Sequence, residues 1–135
     1  MKSAFLFPGQ GSQYEGMLSE LPKEKEVQEI LHFALQTLGK DIEQLDSKQS
    51  LLKTTAVQQS LLIAGVSTFE YFKQRNILPN YLAGHSVGAF SAAVAAEVLS
   101  FEEALKIVTL RGQLMEAYDG SIYGTGVVIG MKEPP

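Results

Sequence analysis

Two glycines frame one serine in Gly84-His-Ser-Val-Gly88, and that framing is the first candidate for covalent chemistry in this chain. The stretch fits G-x-S-x-G, in which a serine rides a sharp strand-to-helix turn with its hydroxyl exposed. Such glycines let the backbone bend tightly and let the helix pack close to the strand. Ser86 would then stand at a helix N-terminus, where free N–H groups and the helix dipole favour a developing oxyanion. As a bare pattern the match is weak, and a serine that merely caps the following helix reads the same way. His85 invites a general-base role, but adjacent side chains point in different directions and a base must reach the serine oxygen. A structural or substrate-contact role suits His85 better. His32, inside an earlier helix, reads as a surface or partly packed residue.

Arg111 is the second candidate. On a helix from Phe101 to Tyr118, Ala104, Ile107, Val108, Leu114, Met115 and Tyr118 mark the stripe expected to face the core, and Arg111 falls within it. A guanidinium on a buried face needs an anion or a full set of acceptors. It could bind a ligand carboxylate, form a structural salt bridge, or run past the apolar face to solvent. The third candidate is Phe7-Pro-Gly-Gln-Gly-Ser-Gln13. It lacks the lysine and spacing of a phosphate-binding loop, which leaves a plain turn or a loop whose Gln10 N–H points into a neighbouring site.

These residues need elements to hold them. Ala4 to Phe7 reads as a short buried strand, ended by the glycine turn. Glu24 to Leu38 carries apolar residues at helical spacing, with Gly39 as its stop. Asp41 to Thr55 is mixed and polar, a short helix and a connection. Val57 to Lys73 is a strong helix, and Tyr81 to Ala83 a second strand. Val87 to Val98 is nearly apolar all round, which predicts a helix in the middle of the domain. Ser100 and Glu103 form a capping-box pattern opening the helix that carries Arg111. A loop from Asp119 to Gly126 and a strand over Val127 to Ile129 complete the order. Strands alternating with helices predict an α/β fold with a parallel sheet and flanking helices.

Composition narrows the chemistry. With 135 residues, 45% of them hydrophobic and 19% charged, the chain suits one globular domain. A formal charge of -4 gives no reason to expect nucleic acid or a membrane surface as partner. There is no cysteine, which excludes thiolate chemistry and disulfides, and two histidines cannot build a His-rich metal site. No apolar run has signal-peptide or membrane-span length, so a cytoplasmic location is expected.

Three separated stretches resemble one family. "FPGQGSQ" at 7–13, "GHSVGAF" at 84–90 and "RGQLMEAYDGSIYGTGVVIGM" at 111–131 resemble the malonyl-CoA:acyl-carrier-protein transacylases, in that family's order and at about its spacing. Val57-Gln-Gln-Ser-Leu-Leu-Ile-Ala64 resembles the family's helix bearing a site glutamine, which assigns that role to Gln58. Within the family, "GHSVGAF" with "SAAVAAEVLS" and "YGTGVVIGM" look most like the epsilon subunit of malonate decarboxylase. Ala89 stands where fatty-acid-synthesis members usually carry an acidic residue.

The resemblance implies a hydrolase-like acyltransferase core. Residues 1–126 would form part of it, and 127–135 would begin a small ferredoxin-like subdomain whose remainder is absent. It implies that Ser86 takes malonyl from a thioester as a malonyl-serine ester. The N–H groups of Gln10 and Val87 would form the oxyanion hole, and Arg111 would pair with the free malonyl carboxylate. Gln58 and His85 would contact substrate. No cofactor is bound tightly; malonyl-CoA, or a phosphopantetheine-type carrier arm, is the substrate. The expected partners are an acyl carrier protein and other malonate decarboxylase subunits. The family's general-base histidine lies in a later segment, so this chain alone is expected to be inactive. Two readings stand beside the decarboxylase subunit: a malonyltransferase of fatty-acid synthesis, and a non-catalytic fragment that only binds acyl-CoA or a partner. A serine hydrolase shares the elbow but leaves Arg111 unexplained.

Overall fold

The computed structural model describes residues 1–118 and 128–130. Strand β1 (Ala4–Phe7) is a four-residue apolar run that Pro8 ends. It pairs in parallel with β2 (Tyr81–Gly84), with Ala4 opposite Tyr81 and Phe7 opposite Gly84. A parallel pair needs a long crossover, and here the crossover is helical. It contains α1 (Lys25–Leu38), the short α2 (Glu43–Asp46), a single 3-10 turn (Ser50–Leu52) and α3 (Thr54–Lys73). After β2 come α4 (Gly88–Ala95) and α5 (Phe101–Ala117). The architecture is α/β, parallel strands with flanking helices, as the sequence predicts.

Local signals set most boundaries. Gly39 closes α1 in the left-handed region at φ 62°, where a glycine has no side-chain penalty. Ser100 and Glu103 form both halves of the capping box that opens α5. The hydrogen bonds to Ser100 hold the Glu103 carboxyl below the usual carboxylate range. Helix α3 begins one turn earlier than the apolar pattern suggests, because polar Thr54 and Thr55 belong to it.

Three expectations are corrected. The helix at the centre is α3, not α4: Val57, Gln58, Gln59, Ser60, Leu61, Leu62 and Ile63 are all buried. In α4 only Gly88 and Ser91 are buried, and the helix ends at Ala95, with Glu97 at φ 59° turning the chain just before Val98. Small side chains let α4 lie close to the strands without being surrounded. On α5 the buried line is Ala104, Leu105, Val108 and Gly112, while Ile107, Leu114, Met115 and Tyr118 are exposed. Helices α5 and α3 approach so closely that a Cβ on Gly112 would sit 2.5 Å from Thr55 Cα, so the contact follows the small residues. The third correction concerns Val127 to Ile129. Val127 lies outside the described residues, and Val128 and Ile129 form no strand and are 73% and 91% exposed. Strand geometry needs a neighbour for its N–H and C=O groups, and none among the described residues pairs with them. The expected loop Asp119–Gly126 also lies outside the described residues.

Aromatic packing fixes the sheet to its central helix. Phe5 of β1 meets Phe69 and Phe72 of α3 edge-on, at 6.3 and 5.5 Å between ring centroids. Leu18 and the loop after β1 are tied to α2, where buried Asp46 accepts the Leu18 N–H at 2.9 Å. These contacts hold the two ends of the glycine turn beside the C-terminal edge of the sheet.

Candidate active site

The site begins where β2 turns into α4. Ser86 sits between them with φ 53°, in the left-handed region that a non-glycine residue rarely adopts. Its exposed hydroxyl crowns the bend. The two flanking glycines are required by space. A Cβ on Gly84 would overlap the Gly88 carbonyl, and a Cβ on Gly88 would overlap the carbonyl of Phe7. Backbone bonds from His85 N–H to the Phe7 oxygen (3.0 Å) and from Gly88 N–H to the His85 oxygen (2.9 Å) lock the turn to β1. Strain of this kind persists only where surroundings over-determine it, and here both strands and α4 do so.

The glycine turn after β1 packs onto the same bend. A Cβ on Gly9 would lie 2.6 Å from the His85 carbonyl, so the two loops meet backbone to backbone. The N–H groups of Gln10 and Val87 take no part in the turn bonds among the described residues. Gln10 is exposed, and Val87, buried, is the N-cap of α4.

Four of the expected site residues are joined by side-chain hydrogen bonds. Arg111 Nη2 donates to Ser86 Oγ at 3.0 Å. Arg111 Nη1 donates to Gln58 Oε1, and Gln58 Nε2 donates to Gln10 Oε1 at 3.4 Å. Gln58 is fully buried, so its amide is held by the core while its partner Arg111 is half-buried. The order along this path is Ser86, Arg111, Gln58, Gln10. His85 is exposed, along a surface hollow that it shares with Leu6, Phe7 and Pro8. Ser86 Oγ is bonded to Arg111, not to His85. His32 is exposed on α1.

A second layer holds Arg111 and Gln58 in register, and sequence reading missed it. Glu116 of α5 accepts the Thr55 N–H at 2.6 Å, and so caps the start of α3 from another helix. Gln59 Nε2 donates to Thr109 Oγ1 at 2.9 Å, and Lys40 Nζ donates to Gln59 Oε1 at 3.0 Å. Burial, with Lys53 adding repulsion and Glu116 opposing it, pushes the Lys40 ammonium below its ordinary range. These pairs lie far apart in sequence, so no local pattern could have announced them.

An exposed serine on a strained elbow, beside a guanidinium and two uncommitted N–H groups, has the parts for acyl transfer to or from a carboxylate-bearing group. The acyl transferase domain family matches residues 4–127. The chain belongs to that family. The chain is 41% identical over 121 residues to the malonyl CoA-acyl carrier protein transacylase of Haemophilus influenzae, an alignment covering 85% of this chain and 39% of the relative. The crystal structure of an acyl-carrier-protein S-malonyltransferase from Burkholderia pseudomallei superposes with a TM-score of 0.79 at 39% identity, over 86% of this chain and 39% of that one. A type II PKS acyl-carrier protein in complex with its malonyl-transacylase gives a TM-score of 0.79 at 37% identity, over 87% and 40%. The chain therefore spans about two fifths of the length of the relatives it matches. Among its described residues no helix is long and apolar enough to cross a membrane, and no group of three acidic, histidine or cysteine side chains is placed to hold a metal.

Proposed function

We propose that the chain is part of a malonyl-CoA:acyl-carrier-protein transacylase, which moves malonyl between a CoA thioester and a carrier-protein thiol. Of the two malonyltransferase readings, the relatives' names favour this one over the epsilon subunit of malonate decarboxylase. Ala89, which departs from the acidic residue usual in fatty-acid-synthesis members, is exposed on the first turn of α4. Packing does not constrain a residue type there, so it discriminates poorly.

In this reading Ser86 Oγ attacks the thioester carbonyl carbon. The Oγ–C bond forms, the C–S bond breaks, and the thiol departs with the proton that the serine gave up. The N–H groups of Gln10 and Val87 face the oxyanion of the tetrahedral intermediate. Arg111 pairs with the malonyl carboxylate, Gln58 orients Arg111, and His85 borders the incoming thioester. A carrier arm's thiol then attacks the malonyl-serine ester and reverses the sequence. No tightly bound cofactor is needed, and the carrier protein is the partner. We read the location as cytoplasmic. We assign residues 1–126 to the acyltransferase core and 127–135 to the opening of a smaller subdomain. Neither histidine is hydrogen-bonded to Ser86, so the 135-residue chain by itself is expected to turn over poorly.

The observation that supports this reading most is the 3.0 Å bond between Arg111 and Ser86 Oγ, which sets a permanent positive charge beside the serine. The test is to give the full-length protein malonyl-CoA and a carrier protein bearing its thiol arm. Malonyl appearing on the carrier faster than free malonate appears in solution is the expected result. Release of malonate as the dominant outcome would instead favour a serine hydrolase.

A further inference from the structure

Arg111 is bonded to two acceptors of different kinds. Gln58 Oε1 is a buried amide oxygen and anchors Nη1, while Nη2 reaches the exposed hydroxyl of Ser86 at 3.0 Å. A lone pair of Oγ that accepts from a guanidinium is directed at that cation and is less available to a carbonyl carbon. A carboxylate is a far stronger acceptor for guanidinium than a neutral hydroxyl, because its hydrogen bonds are charge-assisted and can be bidentate.

We propose that Arg111 is a gate on the nucleophile as well as a clamp on the substrate: in the free protein it engages Ser86 Oγ, and an acyl group's distal carboxylate draws it off and frees the serine. This inference rests on the transacylase reading of the same site. It deepens that reading by making carboxylate-bearing acyl groups self-activating. A neutral acyl group offers Arg111 no better acceptor, so it meets a serine that is still engaged. Discrimination between malonyl and acetyl groups then has two sources, binding of the carboxylate and release of the nucleophile.

The gate is testable without substrate. Methanesulfonyl fluoride is small and uncharged, and it labels serine by forming an Oγ–S bond as the S–F bond breaks, with the serine proton leaving alongside fluoride. Its rate of reaction at Ser86 would be followed by intact mass in the full-length protein. Formate should accelerate labelling of the wild-type protein about tenfold at saturation, the scale of one hydrogen bond to a charged group. Formamide, its uncharged counterpart, should not. Arg111→Met keeps a long side chain without donors, so it should label about tenfold faster than wild type and ignore formate. Circular dichroism would confirm that the variant is folded. If formate leaves wild-type labelling unchanged or slows it, or if folded Arg111→Met labels no faster, the gate is overturned while the nucleophile stands. Failure of Ser86 to label in either protein would remove the nucleophile reading, and the gate with it.

Discussion

Arg111 and Gln58 carry the selectivity argument because each is placed by something other than substrate. The Gln58 amide is fully buried, so it cannot follow the guanidinium if Arg111 moves. It fixes one edge of the fork and leaves the other edge toward Ser86. Removing one member of a desolvated charge pair typically costs about 2–5 kcal/mol. Arg111→Ala in the full-length protein should therefore lower malonyl kcat/KM by roughly 30-fold to several thousand-fold. Acetyl-CoA has no carboxylate to lose, and its rate should hold or rise. Gln58→Leu keeps the charge and loses its anchor, so the malonyl value should fall by roughly tenfold, with acetyl unchanged. Steady-state rates with both thioesters, on variants shown to be folded, check this pair. An equal loss of both activities would make Arg111 a structural residue.

The elbow between β2 and α4 depends on backbones approaching closer than a methyl group permits. Gly88 lies under the carbonyls of Phe7 and Pro8, so an added Cβ must push β1 from the elbow, and no flexible side chain is there to yield. Gly88→Ala should cost about 1–3 kcal/mol and lower the melting temperature by several degrees. It should also misplace Ser86 relative to the Gln10 N–H. Gly11 offers the contrast: it has open space around it, and only its φ of 113° disfavours a side chain. Thermal unfolding of the two variants separates overlap from backbone strain. A Gly88→Ala protein that melts with wild type would mean that the close approach of β1 to α4 does not exist.

At the scale of the whole molecule, what was legible followed from chemistry that is local in sequence. The strand, glycine turn and G-x-S-x-G elbow are short-range patterns, and strands alternating with helices predicted the α/β fold, whereas Gln10, Gln58 and Arg111 were assigned to one site only through the resemblance to the transacylases. The capping box at Ser100 and the glycine stop after Leu38 were readable for the same reason. What was not legible depended on which surfaces touch. Periodicity marked Ile107, Leu114 and Met115 as core-facing on α5, yet α5 buries Ala104, Leu105, Val108 and Gly112 and exposes those three. Two overlapping apolar faces of one helix compete for the same contact, and the close approach at Gly112 that decides between them depends on α3. The Glu116 cap on Thr55 and the Gln59–Thr109 bond arise only from that packing. The central claim, that this arrangement makes Ser86 a nucleophile for malonyl, is tested most directly by mass. Full-length protein mixed with malonyl-CoA and no acceptor should carry one malonyl group, mapped to Ser86 by peptide fragmentation, and Ser86→Ala should carry none. A malonyl adduct that persists in folded Ser86→Ala would place the nucleophile elsewhere and contradict the account.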